Sequence, residues 1–207
     1  FLVGLVGLNT ISISGSSTAT NVLPIYMDFY LLLDNSPSMG VAATPSDIAT
    51  MVANTPDQCA FACHDQSNPN NYYNLAKTLG VTTRIDVLRT ASQQLMSTAP
   101  SMGMFPDQYR AAIYTFNRSV ATITDLTSDL SYAASQAATI DLVPVPFQGA
   151  NNDQYTDYNA AMTAMNATIP NPGDGASTAP QKVLFMVSDG VNDSNVGGTR
   201  TISPIDA

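Results

Sequence analysis

Two runs in this 207-residue chain are apolar at nearly every position and stop at an aspartate. Phe29-Tyr30-Leu31-Leu32-Leu33 stops at Asp34, and Val183-Leu184-Phe185-Met186-Val187 stops at Ser188-Asp189-Gly190. A strand with one wet face alternates apolar and polar residues. An unbroken run of this length instead marks a strand covered on both faces, as in parallel sheets. Strands are therefore expected over residues 28–33 and 182–188. In open sheets of this kind ligands sit beyond the carboxyl ends of the strands. Both runs thus deliver an acid to the functional end of the fold.

The pattern between them is that of an α/β chain. Thr44-Pro45-Ser46-Asp47 combines an N-cap, a proline at the first helical position and an acid two residues later, opening a helix to about residue 54. Thr83-Arg84-Ile85-Asp86 is a capping box. Ile85, Leu88, Ala91 and Leu95 follow it as one helical face, and Pro100 marks the stop. Residues 109–116 and 120–124 read as strands joined by Asn117-Arg118-Ser119, a hairpin. Thr127 is expected to cap a helix to about residue 140, and a further helix is expected over 157–167 after a loop at 141–155. Residues 55–82 read as irregular, and 11–14 alternate as a strand would. The expected architecture is one Rossmann-like, doubly wound α/β domain: a mostly parallel sheet with helices on both faces.

Sixteen acids against seven Lys and Arg give a net charge of −9, too few cations for a nucleic-acid-binding face. With 44% hydrophobic and 11% charged residues the chain is not of disordered composition. The apolar start, Phe1 to Leu8, is too short to span a bilayer. The chain reads as a fragment, with any membrane anchor outside it.

Asp34-Asn35-Ser36-Pro37-Ser38 lets one tight loop aim an acid and two hydroxyls inward, a donor set for a hard cation. Asp34 is expected at an exposed strand end. Asp34-x-Ser36-x-Ser38, followed by Met39-Gly40, resembles the first segment of the metal-ion-dependent adhesion site of von Willebrand factor A (vWA) domains. Thr156, six residues before Met162, resembles the second segment, and Ser188-Asp189-Gly190 the third. Arg84-Ile85-Asp86-x-x-Arg89-x-Ala91 resembles the helix after the first segment. The resemblance implies metal ligation by Asp34, Ser36, Ser38, Thr156 and Asp189. The hydroxyls would bind directly and the aspartates largely through water, on Mg²⁺ (or Mn²⁺ or Ca²⁺). It divides the chain into an upstream segment, 1–27, and a vWA-like domain, 28–207. That domain carries an insertion at 41–82 after the first core strand and is incomplete at its C-terminus, with no strand expected after the fourth.

Leu31 to Gly40 and Gln58-Cys59-Ala60-Phe61-Ala62-Cys63-His64-Asp65 resemble the TadG-like proteins of bacterial Tad/Flp pilus assembly. That resemblance implies a non-enzymatic adhesion or assembly domain of the cell envelope, anchored in the inner membrane and periplasmic or surface-exposed. Its protein partner, a pilus component in this resemblance, would offer a carboxylate to the metal. The alternatives are a cytoplasmic vWA subunit of an ATPase or chelatase-type complex and, ranked lower, a redox or hydrolytic enzyme. No Gly-x-Ser-x-Gly elbow is present, and the sole histidine lies in the insertion. For Cys59 and Cys63, a local disulfide, a zinc site with His64 and Asp65, haem attachment and free thiols all stay open.

Overall fold

The computed structural model describes residues 24–190, 192–196 and 199–202. The strand expected at 11–14 lies outside them. The central sheet has the order β3-β2-β1-β4, formed by β1 (Met27–Asp34), β2 (Tyr109–Phe116), β3 (Val120–Thr127) and β4 (Gln181–Val187). β1 pairs in parallel with both β2 and β4, in a register that sets Asp34 opposite Phe116 and Leu33 opposite Val187. β3 returns antiparallel to β2 through the expected hairpin.

Period-two alternation splits the β1 side chains between two cores. Leu31 and Leu33 face a layer of α1 (Pro45–Asn54), α2 (Tyr72–Leu79), α3 (Arg84–Met102) and α4 (Leu130–Ala137). Tyr30 and Leu32 face α6 (Tyr158–Thr168), through Tyr158, Ala161 and Met165. β1 is therefore covered on both faces, which is why its sequence shows no alternation. The doubly wound, mostly parallel α/β architecture is the one expected.

Several local expectations are corrected. The buried face of α3 is Ile85, Leu88, Ser92, Met96 and Ala99, whereas Ala91 and Leu95 are exposed. An apolar side chain at a plausible helical spacing drew the stripe one position off, and α3 runs two residues past Pro100. Thr127 ends β3, held by its pairing with Ala111, and Asp129 caps α4 by accepting from the Tyr132 N–H at 2.8 Å. The 141–155 loop contains a single turn, α5 (Asn151–Gln154). Residues 55–82 hold α2, capped by the Asn71 side chain at one end and by left-handed Gly80 (φ 69°) at the other. Only Tyr73 and Ala76 of α2 are buried, so its apolar signal is short.

A further correction concerns the chain after β4. Two short strands, β5 (Asp193–Val196) and β6 (Thr199–Ile202), form their own antiparallel pair outside the main sheet. Among the described residues nothing pairs with the outer edge of β4, where Phe185 is 44% and Val187 43% exposed. An unpaired apolar edge is a template for association. The 207-residue chain is expected to self-associate in sedimentation velocity, and Phe185→Lys to shift it toward monomer. A wild-type chain that stays monomeric over the accessible concentration range contradicts this. No helix among the described residues is long and apolar enough to cross a membrane.

Candidate metal centre

Parallel pairing of β1 with β4 brings Asp34 beside Ser188, whose hydroxyl donates to Asp34 Oδ2 at 2.6 Å. After β1 the chain turns at once: the Ser36 N–H donates to Asp34 Oδ1 at 2.8 Å, and Pro37–Gly40 form one 3₁₀ turn. The turn folds Ser38 back so that its hydroxyl lies 3.1 Å from Ser36 Oγ and donates to Asp189 Oδ1, also at 3.1 Å. Gly40 closes the turn against the insertion. A Cβ there would meet Leu142 Cδ1 at 3.0 Å and the Ala62 carbonyl at 3.1 Å, and the Ala62 N–H donates to the Gly40 carbonyl at 2.9 Å. A side chain at residue 40 would require the Ala62 backbone and the end of the Leu142 side chain to give by a few tenths of an ångström.

Thr156 reaches the same end of the sheet through its backbone. Its carbonyl accepts from the Asp193 N–H at 2.8 Å, and the next N–H, of Asp157, donates to the Asn117 carbonyl at 3.0 Å. The Thr156 residue is 3% exposed. Asp157, not Thr156, caps α6, accepting from the Ala160 N–H at 2.9 Å. Asn117 in turn donates to Asn35 Oδ1 at 3.0 Å, tying the ends of β1 and β2 together. The three segments singled out in the sequence therefore converge at the carboxyl end of the sheet.

Two residues at the centre were not among the site residues read from the sequence. Ser188 bridges Asp34 and the Tyr158 hydroxyl, and it was legible as the residue before Asp189 at the end of a buried strand. Arg84 Nη1 lies 2.7 Å from Asp189 Oδ2, an ion pair spanning 105 positions of sequence. Its place in a capping box gave no hint of that partner.

Asp34 is not at an exposed strand end: it is fully buried. Strands on either side and the serine turn above cover it. Burial pushes its carboxyl above the usual range, against the hydrogen bonds from Ser188 and Ser36, and the neighbouring Asp189 carboxylate pushes the same way. The other buried acid of β1, Asp28, is treated differently. It receives Arg110 through two hydrogen bonds of 2.7 and 2.8 Å and Lys182 at 2.6 Å. Burial acts to raise the Asp28 carboxyl, but those two cations outweigh it and hold the group below its usual value. Asp34 has only neutral donors among its described hydrogen bonds. A buried carboxylate without a positive partner is costly, and a cation among its neighbours removes the cost.

The residues present fit a hard divalent cation. Every donor is an oxygen, with two carboxylates and several hydroxyls, and the buried charge is uncompensated. The insertion offers no comparable fit for zinc. The His64 ring lies with Nε2 2.8 Å from the Val143 carbonyl, and its burial lowers its affinity for a proton. Cys59 and Cys63 are free thiols. Among the described residues no group of three or more His, Cys, Asp or Glu side chains is placed to hold a metal ion. The Cys59–Cys63–His64–Asp65 zinc set is therefore not assembled, whereas the Asp34 centre relies on hydroxyls for most of its donors.

No protein-family model matches the chain, and no curated protein matches it. Solved structures do. The PilB minor pilin from Streptococcus sanguinis is similar with a TM-score of 0.52 at 12% identity, over 84% of this chain and 32% of that one. The vWF domain of the type V pili tip protein Mfa5 from Porphyromonas gingivalis gives 0.48 at 15% identity, over 83% and 40%. The adhesive tip pilin GBS104 from Group B Streptococcus agalactiae gives 0.45 at 15%, over 81% and 46%. The chain spans less than half the length of each of these three. Identities this low establish likeness of fold alone.

Proposed function

We propose that this chain is a non-enzymatic, divalent-cation-dependent protein-binding domain of a bacterial envelope or surface protein. The observation that carries the reading is Asp34: a buried carboxylate with neutral donors only, facing Ser36, Ser38, Ser188 and Asp189 at the carboxyl end of the sheet. Asp34, Ser36, Ser38, Thr156 and Asp189 would hold Mg²⁺, or Mn²⁺ or Ca²⁺. With mostly neutral hydroxyls as direct ligands, the bound cation keeps enough charge to accept a partner's carboxylate oxygen. The protein's part is to hold those oxygens ready. Asp34 is locked by the Ser36 N–H and Ser188 hydroxyl, and Ser38 is aimed by Asp189, while Arg84 competes with the cation for the Asp189 carboxylate.

A hydrolytic role for the serines finds no support in the hydrogen bonding. Ser38 donates to Asp189, and the sole histidine is engaged with a backbone carbonyl. Likeness of fold to pilus tip and minor pilin proteins supports a role in pilus assembly or adhesion, in the envelope or at the surface. The Tad/Flp setting is the finer form of this proposal and rests on the segments quoted from the sequence. The membrane anchor belongs, in this reading, to sequence outside the chain.

Calorimetric titration with Mg²⁺ tests the proposal. One saturable site per chain is expected. Ser38→Ala is expected to weaken binding severalfold, since water can replace one hydroxyl. Arg84→Gln is expected to tighten it severalfold, because it removes a positive charge 2.7 Å from Asp189. No saturable heat in the wild type, or weaker binding in Arg84→Gln, would count against the site.

A further inference from the structure

A cavity of about 560 Å³ opens beside the serine turn, with Ser38 in its wall. Its size lies within the ~300–1,000 Å³ common for ligand pockets. The insertion and the 145–153 loop build nearly all of it. Phe61, Tyr72 and Val145 supply apolar wall, while Asp57, Asp65 and Asp153 supply three carboxylates, and no lysine or arginine lines it.

The three acids are held by neutral donors. Asp57 accepts from the Tyr72 hydroxyl at 2.8 Å, Asp65 from the Ser67 N–H and hydroxyl at 2.8 and 2.7 Å, and Asp153 from the Gly149 N–H at 2.5 Å. Among the described residues none of them forms an ion pair. Of the described cations, Lys77 and Arg89 pair with Asp141, Arg84 with Asp189, and Arg110 and Lys182 with Asp28, while Arg118 donates to Gln154 Oε1 at 2.9 Å and does not line the cavity.

A hollow with apolar walls and anionic groups matches one kind of side chain. Lysine and arginine carry an apolar stem and a cationic head, and the head gains further from the face of an aromatic ring. We propose that the cavity receives a lysine or arginine side chain of the partner, beside the carboxylate that the metal centre takes. Ser38 is common to the cavity and the centre, so the acid and the base would lie on one short partner segment. The acid half rests on the metal-dependent reading given above; the cavity half does not.

The whole chain, isotopically labelled, can be titrated by NMR with Nα-acetyl-arginine amide, which has a cation and no carboxylate. The neutral citrulline analogue is the control. The expected result is shifts at the amides of Asp57, Phe61, Asp65 and Gln148 with the arginine probe alone, the same in Mg²⁺ and in EDTA. The double variant Asp57→Asn, Asp153→Asn should lose about fivefold or more in affinity at low salt. A peptide with arginine and aspartate on a short glycine spacer should bind more tightly in Mg²⁺ than in EDTA. No shifts, equal response to citrulline, or unchanged affinity in the double variant would overturn the cavity assignment. Equal peptide affinity with and without Mg²⁺, while the arginine probe still binds, would contradict the metal centre and leave the cavity supported.

Discussion

Asp28→Asn is expected to lower the unfolding free energy by about 3 kcal/mol, the lower end of the range for breaking a buried ion pair. Asp28 is fully buried and joins three strands, β1, β2 and β4, through Arg110 and Lys182. Removing its charge leaves two cations facing each other across β1. Arg110 is 37% exposed at its side chain, so water solvates part of what is lost, which keeps the cost from the upper end. The pH dependence has a definite sign. The folded-state carboxyl lies below its unfolded value of 3.8, so its contribution is present above that pH and is lost as pH falls through the folded value. Urea unfolding at neutral pH should show the lower midpoint in Asp28→Asn, and the difference from wild type should shrink in acid. Equal midpoints at neutral pH would show that the triad adds nothing to stability.

The second large effect is a reversal at Asp34. Asparagine has the same shape, accepts from the Ser36 N–H and still hydrogen-bonds Ser188, so Asp34→Asn leaves neither group unsatisfied, as alanine would. Without divalent cation at neutral pH the variant is expected to be more stable than wild type. The folded carboxyl is raised above 3.8, so its cost is absent below that pH, grows as pH rises toward the folded value, and is fully present above it. With Mg²⁺ at a hundredfold excess over its dissociation constant the wild type gains about 2.7 kcal/mol and the variant gains nothing. Thermal melts in EDTA and in Mg²⁺ should therefore rank the two proteins in opposite orders. The same order in both, or a Mg²⁺ gain in the variant equal to that of wild type, would remove Asp34 from the site.

The strand ends were legible because burial on both faces leaves an unbroken apolar run, and that run alone placed Asp34 and Asp189 at the same end of one sheet. The serine turn was legible because acid, serine and serine at alternate positions fit one tight loop. What stayed hidden was long-range. Nothing local to Arg84 reveals a partner at Asp189, and nothing local to Asp34 reveals that β4 and the turn would enclose it. The acids of the cavity were equally opaque, since Asp57 and Asp65 of the insertion meet Asp153 only when residues 41–82 pack against the 145–153 loop. The errors in α3 and α4 share a cause. Ala91 and Thr127 satisfied a local rule, while Ser92 and Asp129 were chosen by packing and by strand pairing.

The central claim, a divalent cation held at the carboxyl end of β1 and β4, is tested most directly by anomalous diffraction from a crystal of the chain soaked in Mn²⁺. The account requires one strong peak within coordinating distance of the Ser36 and Ser38 hydroxyls, absent from crystals of Asp34→Asn. A soaked crystal with no peak there, or with its peak at Cys59, Cys63 and His64, would contradict it.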